Sequence, residues 1–497
     1  MQFGLSESVD HWGRYRPNSI AVYCNGSAVS YGQLNSRVNA LCRRVQEEGF
    51  SAPRIAVALS SKVNTLTAYL AVLRLGRSIV VLNPALRDEA LRTNLSDTNA
   101  SELIHDTPHS HVAGLFASAP RAVSLDAVDW SKTQLEQPLR DSNTSDEWGV
   151  LFSSGSTGTP KGVERDQYSM VTEFIGWCLE LTLSRRTTFY IGRPIFYTGG
   201  LVLAGATLLV GGSIVLNDHG DDNDVASTWS DYQAFVRAHP TEWSFFVPDQ
   251  LRAFMRFATP TVKTPGSRGV VVMGAPITGD EKRRVREVLG SDVVESWGNS
   301  ESLGTITDPE DLDVRPQSVG RPFLTDALVV VDEDGKALPP MTLGRIAGGE
   351  EAGFEGYSNR LDATARVKRN ALIISDDIGY LDDQGYLFVR GREQESFVCD
   401  GKDFFVGELE RALLAGGGFR AVAIVPLGSD TGSAVLRALV VQGGENAVTP
   451  AELHLELNRR LPKPLAFEKV VFVDHIPHTP SRKVDRAACR RQALETP

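Results

Sequence analysis

A stretch rich in glycine and hydroxyl side chains follows an apolar segment in the middle of the chain. Residues 151–163 read LFSSGSTGTPKGV, with five hydroxyls, three glycines and one lysine. Glycine lets a backbone approach an anion closely, and hydroxyls with exposed N–H groups can surround phosphate oxygens. A flexible linker is disfavoured because we expect the loop to join a buried strand to a helix. The predicted phosphate-binding residues are Ser153, Ser154, Gly155, Ser156, Thr157, Gly158 and Lys161.

This loop is not a Walker A sequence, because no GK[ST] follows its first glycine at the required spacing. Further motifs appear later in the chain: MGAP (273–276), SWGNSE (296–301), SDDIGYLDDQGYLFVRGR (375–392) and PHTPSRKVDR (477–486). Taken alone, Trp297 would be an ordinary packing residue, and Asp377, Arg392 and Lys483 would be solvated surface charges. Only the order of the motifs gives these side chains a functional interpretation.

In that order, and with VSYGQL (29–34) and SVGRP (318–322), the motifs resemble those of the adenylate-forming superfamily. The superfamily includes acyl-CoA synthetases, nonribosomal adenylation domains and luciferases, and the resemblance spans nearly the whole chain. It implies two half-reactions. ATP and a carboxylic acid give an acyl-adenylate and pyrophosphate, and then a thiol, usually that of coenzyme A, displaces AMP. A small C-terminal lid is expected to rotate between the two steps.

The resemblance also implies individual roles. Glu301 would bind Mg²⁺, a hard cation suited to carboxylate and phosphate oxygens. Lys483 would reach the carboxylate and the bridging oxygen during adenylation, where two anions must approach each other and positioned cations lower the barrier. Asp377 and Arg392 would bind the ribose hydroxyls. The other nucleotide-binding residues implied are Gly274, Ala275, Pro276, Trp297 (facing adenine), Gly298 and Ser300.

PIFYTGGL (194–201) resembles the P-x-F-H-x-x-G segment of acyl- and aryl-CoA ligases, with Tyr197 at the usual histidine. No aspartate that could pair the ammonium group of an α-amino acid is found near it, and no G-G-x-S carrier site is present. We therefore predict a stand-alone ligase for a bulky, hydrophobic acid, although the apolar residues at 196–203 and 243–246 would also make ordinary core. The implied acyl-binding residues are Phe196, Tyr197, Gly199 and Gly298.

The sequence departs from the family pattern in the segments that are expected to move between the two half-reactions. Arg482 replaces the glycine before Lys483, which adds a long cation and denies the backbone glycine-only torsions. We expect this to threaten adenylation more than thioester formation. The other departures are Ser375-Asp376-Asp377 in place of T-G-D, Gln394 at the hinge, and Asp400 beside Gly401 where a glycine pair should line the pantetheine tunnel.

Three functions therefore stay open: a two-step acyl-CoA ligase, a ligase with impaired adenylation, and a non-catalytic binding protein on the same fold. The second would convert a preformed acyl-adenylate supplied by a separate adenylating enzyme. Retention of Lys483, Glu301, Asp377 and Arg392 disfavours the third. The acceptor could be coenzyme A or a separate carrier protein.

The elements that must position these residues alternate between helical and strand patterns. Such alternation predicts an α/β fold with parallel sheets covered by helices. From about Asp326 the pattern becomes β-rich, and after Arg392 a helix-and-strand unit of about 100 residues follows. We predict a large N-terminal domain over 1–393, containing the helix-covered sheets and the β-rich subdomain. A mobile α+β lid over 394–497 would hinge near Gln394.

Composition excludes several kinds of partner, site and location. The chain has 497 residues and a net charge of −11, which argues against nucleic acid or an anionic membrane as the main partner. Its five scattered cysteines imply neither a disulfide framework nor a zinc site. The longest apolar stretch, 201–216, is interrupted and too short to span a bilayer. With 40 arginines against 11 lysines, we expect a bacterial protein. The scattered cysteines, with no apolar signal core and no spanning stretch, predict a cytoplasmic location.

Overall fold

The computed structural model describes residues 4–133, 147–153, 160–217, 225–257, 266–301, 303–350, 353–415, 419–427, 435–442, 450–462, 465–479 and 484–495. By packing, the chain divides into two compact units. The described part of the first lies within residues 4–153, 160–328 and 348–373, and that of the second within 329–347 and 374–495. The predicted α/β class is confirmed. The boundary near Gln394 concerns a hinge motion and stays a prediction.

A nine-stranded sheet forms one layer of the first unit. Its order is β15 (Arg321–Pro322), β14 (Gly304–Ile306), β13 (Asp292–Gly298), β12 (Gly269–Met273), β11 (Trp243–Phe246), β9 (Thr188–Ile191), β10 (Ser213–Leu216), β1 (Ile20–Cys24) and β2 (Ser27–Ser30). The six strands from β13 to β1 are parallel, and both edges are antiparallel. The inner strands are short, apolar runs, as expected for parallel strands covered on both faces.

A seven-stranded sheet forms another layer of this unit. Its order is β18 (Phe354–Tyr357), β8 (Gly162–Asp166), β7 (Glu147–Phe152), β4 (Ser78–Val81), β3 (Arg54–Ala58), β5 (Glu102–His105) and β6 (Arg121–Ser124). β7 and β8 are antiparallel, so the phosphate loop connects two strands, and the expectation that a helix follows it directly was wrong. Strand β8 was not predicted because a charged residue, Arg165, occupies one of its buried positions. Arg165 pairs with Glu173 at 3.1 Å.

The helices of the first unit cover these sheets. They are α1 (Leu5–Tyr15), α2 (Tyr31–Glu47), α3 (Lys62–Arg74), α4 (Asp88–Thr98), α5 (Gln167–Glu180), α6 (Thr198–Leu209), α7 (Val225–Ala238), α8 (Pro248–Phe257), α9 (Gly279–Leu289), α10 (Asp311–Val314) and α11 (Leu361–Val367). The largest hydrophobic core draws on α2, α3, α5, α6 and both sheets. Helix α2 begins at Tyr31 because Ser30 and Gln33 form a capping box.

The remaining elements follow the predicted change to β structure and then to an α+β order. A five-stranded sheet contains β16 (Leu328–Val331), β17 (Gly344–Gly349), β19 (Lys368–Arg369), β20 (Leu372–Leu381) and β21 (Leu387–Arg392). The later elements are the hairpin β22 (Ser396–Cys399) and β23 (Lys402–Phe405), the sheet β24 (Phe419–Leu427), β25 (Val435–Gln442) and β26 (Phe467–Phe472), and helices α12 (Val406–Ala415), α13 (Pro450–Arg460) and α14 (Arg486–Glu495). Of the helices in the described ranges, none is long and apolar enough to cross a membrane.

Candidate active site

Three of the predicted motifs follow strands that end at the same edge of the nine-stranded sheet. PIFYTGG follows β9, MGAP follows β12, and SWGNSE begins within β13 and runs beyond it. Strands β12 and β13 are parallel neighbours, with Met273 opposite Ser296. In open α/β sheets, ligands bind outside the carboxyl ends of the strands. The topology therefore places these motifs where a ligand site is expected.

The predicted acyl segment packs against the MGAP turn. A Cβ atom added to Gly199 would lie 2.7 Å from Sδ of Met273 and 3.1 Å from Cζ of Phe245, so no larger residue fits without movement. Gly274 has φ +97°, in the region that favours glycine, and is exposed. Ala275 is half-buried and Pro276 is exposed. Residues 201–203, in contrast, are buried in α6 and belong to the core.

Two polar side chains, those of Arg193 and Asn83, contact Tyr197, although the sequence predicted an apolar site around it. The guanidinium carbon of Arg193 lies 4.5 Å from the centre of the Tyr197 ring, and the Phe196 ring lies 4.7 Å from it. Asn83 Nδ2 donates to the Tyr197 hydroxyl at 3.4 Å. Arg193 is 3% exposed, and among the described residues its Nη1 has no hydrogen-bond partner. The sequence analysis missed Arg193, although a charge inside the apolar run TTFYIGRPIF was a signal, since a buried cation needs a partner.

The two ends of the phosphate loop are joined by backbone contacts. Ser153 N donates to the Lys161 carbonyl at 2.9 Å, and Lys161 N donates to Ser153 Oγ at 3.2 Å. Phe152 lies opposite Gly162 in the adjoining strand pair. Ser153 and Lys161, at the two ends of the loop, are therefore held together. The predicted residues Ser154, Gly155, Ser156, Thr157 and Gly158 lie outside the described residues, as do Arg482 and Lys483.

A buried tyrosine joins the lysine of this loop to the predicted metal carboxylate. Lys161 Nζ lies 4.7 Å from the centre of the Tyr357 ring, and the Tyr357 hydroxyl donates to Glu301 Oε1 at 2.5 Å. Tyr357 is 6% exposed and lies opposite Val163 in the β18–β8 pair. The sequence analysis missed Tyr357, because its segment FEGYSN has no local pattern that points to Glu301.

The segment that carries Glu301 leaves β13 through a hydrogen-bonded turn. Gly298 lies opposite Gly304, and Asn299 exchanges bonds with Leu303 through its backbone N–H and its side-chain oxygen. Trp297 is half-buried on β13. The turn leaves Ser300 and Glu301 half-buried beyond the end of the strand, close to the base of the phosphate loop.

The donor set around Glu301 fits Mg²⁺ bound together with a nucleotide. In the ranges that the structure describes, no three His, Cys, Asp or Glu side chains are grouped so that they could hold a metal ion. Mg²⁺ keeps several waters and is commonly bound by one or two carboxylates plus substrate phosphates. Glu301 is the residue that would hold the ion, with phosphate oxygens completing its shell. A metal centre made of protein ligands alone does not fit this donor set.

In the second unit, the predicted ribose-binding residues lie side by side. Asp377 of β20 is opposite Arg392 of β21, and Arg392 Nε lies 3.4 Å from Asp377 Oδ1. Asp377 N donates to Ser375 Oγ at 3.2 Å, so Ser375 supports the backbone of this turn. Asp376 is exposed and accepts from Gln394 Nε2 at 3.5 Å. The structure thus brings Asp377 and Arg392 together, and the second carboxylate lies beside the predicted hinge residue.

Asp400 and Gly401 form a two-residue turn between β22 and β23. Cys399 pairs with Lys402, and Asp400 and Gly401 have φ of +49° and +69°. Asp-Gly is a favoured sequence for a hairpin turn with two positive φ values. The turn therefore explains why aspartate is tolerated here. Hindrance of a thiol by Asp400 stays a prediction.

Comparison with known proteins gives the family of the chain. The family described as AMP-binding enzyme matches residues 9–358. Feruloyl-CoA synthase of an Amycolatopsis species is 26% identical over 487 residues, covering 96% of this chain and 97% of the relative. The 2-succinylbenzoate–CoA ligase of Bacillus mycoides is 25% identical over 504 residues, covering 98% and 100%.

A solved structure gives independent evidence for the fold. The o-succinylbenzoate-CoA synthetase of Bacillus subtilis, in complex with its acyl-adenylate intermediate, aligns with a TM-score of 0.85 at 20% identity and covers 97% of each chain. The family match extends over the phosphate loop, the acyl segment, Glu301 and Tyr357. This chain belongs to the family of AMP-binding enzymes.

Proposed function

We propose that the protein is an AMP-dependent ligase that activates a carboxylic acid as its acyl-adenylate and transfers the acyl group to the thiol of coenzyme A. The observation that carries the proposal is the meeting of Lys161, Tyr357 and Glu301 next to the base of the phosphate loop. Two relatives that align over nearly their whole length are named as CoA ligases of ferulate and 2-succinylbenzoate.

In the first half-reaction, the difficulty is electrostatic, since a carboxylate approaches a phosphate. Lys161 and the loop after Ser153 would bind the phosphates, and Glu301 would hold Mg²⁺, which supplies further positive charge there. Lys483 would reach the attacking carboxylate and the bridging oxygen. The remaining contacts to adenine and ribose are assigned to Gly274, Ala275, Pro276, Trp297, Gly298, Ser300, Asp377 and Arg392.

For the acid, we propose a hydrophobic, aromatic-sized group that carries a second polar substituent, and not an α-amino acid. Phe196, Phe245 and Met273 supply the apolar surface around Gly199. Arg193 and Asn83 favour a polar substituent, because a buried guanidinium and an amide beside Tyr197 can both hydrogen-bond to a substrate oxygen. This refines the expectation of a simply hydrophobic acid.

The test is ATP–pyrophosphate exchange with a panel of acids, followed by coenzyme A-dependent release of AMP. Exchange with at least one aromatic acid, and its loss in Lys483→Ala and Glu301→Gln, is the expected result. Exchange in the absence of any acid, or full activity of both variants, would contradict the assignment. Replacing coenzyme A by a phosphopantetheinylated carrier protein identifies the acceptor.

A ligase with impaired adenylation is the second candidate, because Arg482 stands beside Lys483. It would take a preformed acyl-adenylate from a separate adenylating enzyme. The expected signature is no exchange by the wild type, alongside consumption of synthetic acyl-adenylate that depends on coenzyme A. In that case Arg482→Gly should restore exchange. Failure to turn over any acid or adenylate would instead favour a non-catalytic binding protein.

A further inference from the structure

Two contacts of the Tyr357 side chain are to groups assigned to phosphate or metal binding. Its ring faces the Lys161 ammonium at 4.7 Å, and its hydroxyl donates to Glu301 at 2.5 Å. The ammonium group of Lys161 is attracted to the negative face of the ring, whereas the hydrogen bond to the Glu301 carboxylate is made by the O–H group. Lys161 and Glu301 are 140 residues apart in the sequence, so this one side chain connects two remote motifs.

The surrounding structure fixes the position of Tyr357. Its backbone N–H donates to Thr364 Oγ1 at 2.9 Å, and its ring packs edge-on against Phe354 with centroids 4.9 Å apart. The next residue, Ser358, donates from its backbone N–H to the Gly162 carbonyl at 2.8 Å, directly after Lys161. The ring therefore moves with the base of the phosphate loop. A shift of Tyr357 would displace both the lysine and the carboxylate.

We propose that Tyr357 is a positioning residue for adenylation, which holds the phosphate-loop cation and the metal-binding carboxylate in a fixed relation. This rests on the proposed function. The phenol binds one oxygen of Glu301, and that bond fixes the orientation of the carboxylate that would bind the metal ion. A short hydrogen bond to an ionised acceptor is among the stronger ones in proteins. Its loss should weaken metal and phosphate binding, not the later attack of a thiol.

The competing explanation is that Tyr357 is a packing residue whose hydroxyl happens to reach Glu301. Two substitutions separate these explanations. Tyr357→Phe keeps the ring, its packing and the contact with Lys161, and removes only the donor to Glu301. Tyr357→Leu removes both contacts. A matched control is Tyr232→Phe, since Tyr232 is also buried and its hydroxyl accepts a hydrogen bond from a neutral partner, Ser244, at 3.3 Å.

The experiment measures ATP binding to the full chain by calorimetry across a range of Mg²⁺ concentrations. We expect Tyr357→Phe to raise the half-saturating Mg²⁺ concentration roughly 10-fold or more, from loss of a charge-assisted hydrogen bond. Tyr357→Leu should also weaken ATP binding at saturating Mg²⁺. In the Glu301→Gln background, Tyr357→Phe should add little, since the two changes remove the same interaction.

Activity provides the second measurement. Tyr357→Phe should lower ATP–pyrophosphate exchange, while consumption of synthetic acyl-adenylate by coenzyme A stays at the wild-type rate. A Mg²⁺ response of Tyr357→Phe equal to that of the wild type and of Tyr232→Phe would overturn the proposal, as would an equal loss in both half-reactions. If no acid supports exchange, the proposed function fails, but the binding measurement still decides the role of Tyr357 because it needs no acid.

Discussion

A buried ion pair supports the two segments that bear the nucleotide motifs. Lys282 of α9, the helix after the MGAP turn, contacts Glu295 of β13, the strand that leads to Glu301, with Nζ 2.8 Å from Oε2. The two side chains are only 3% and 8% exposed. Removing one partner of a buried pair takes the counter-ion from the other charge and costs about 3–5 kcal/mol, whereas replacing both by apolar groups is often neutral.

We therefore expect Lys282→Met to lower the free energy of unfolding by about 3–5 kcal/mol, and Lys282→Met with Glu295→Met to recover most of that loss. Urea unfolding followed by tryptophan fluorescence measures this. All seven tryptophans lie in the first compact unit, so the signal reports on that unit alone. The non-additivity of the two substitutions gives the coupling between them.

Helix α9 also offers a matched control for this experiment. Arg284 contacts Glu287 at 3.4 Å on the same helix, but these side chains are 60% and 67% exposed. Arg284→Met should therefore change stability by no more than about 0.5 kcal/mol. The reasoning is refuted if Lys282→Met costs as little as Arg284→Met, or if the double variant is as unstable as the single one.

Three further predictions concern pH, the second unit and the acid. Burial, with the nearby charge of Glu173, raises the pKa of Asp326 from 3.8 to about 7. The folded chain then holds a proton that the unfolded chain has lost, so stability should fall as pH rises from about 4 to 7. Asp326→Asn should flatten that slope in urea titrations, and an unchanged slope would contradict this. Arg486 donates to Glu410 at 2.5 Å, and Arg486→Met should destabilise the second unit by about 3 kcal/mol. Circular dichroism should then show an early transition that tryptophan fluorescence does not follow, whereas coincident transitions would argue against it. Arg193→Met should leave stability within about 1 kcal/mol, because it removes a buried charge with an unpaired nitrogen. It should slow exchange more for acids with a second polar group than for unsubstituted ones, and equal effects would exclude Arg193 from acid recognition.

Local sequence patterns predicted the helices and strands whose formation depends mainly on neighbouring residues. The alternation of helical and strand patterns predicted the α/β fold with parallel sheets covered by helices, because the short apolar strands and the helices each follow a local period. The motifs after β9, β12 and β13 could then be placed at one sheet edge, because parallel strands align their carboxyl ends. Prediction failed at β8, where a buried arginine interrupts the apolar pattern.

The contacts of Tyr357 and Arg193 could not be read from spacing. The Tyr357 hydroxyl reaches Glu301, 56 residues earlier in the chain, because of the way β18 pairs with β8. No local periodicity in the sequence indicates that these two strands pair. A buried charge is easier to find, since it is rare and must be compensated. An arginine inside an apolar pattern therefore indicates a buried charge, which pairs with a carboxylate at Arg165 and lies against the Tyr197 ring at Arg193.

The side chains around the predicted hinge have partners on both sides of residue 394. Three consecutive side chains have partners earlier in the chain: Arg392 with Asp377, Glu393 with Arg345, and Gln394 with Asp376. The next side chain, Glu395, instead accepts from Arg486 at 3.0 Å, near the C-terminus. A change in the backbone torsions between Gln394 and Glu395 would therefore break none of these four contacts. A rotation one residue to either side would break at least one of the four, whereas the ion pair of Arg390 with Glu408 and the bond from Ser396 Oγ to the Glu393 carbonyl would open at any of these positions. The hinge at Gln394 stays a prediction.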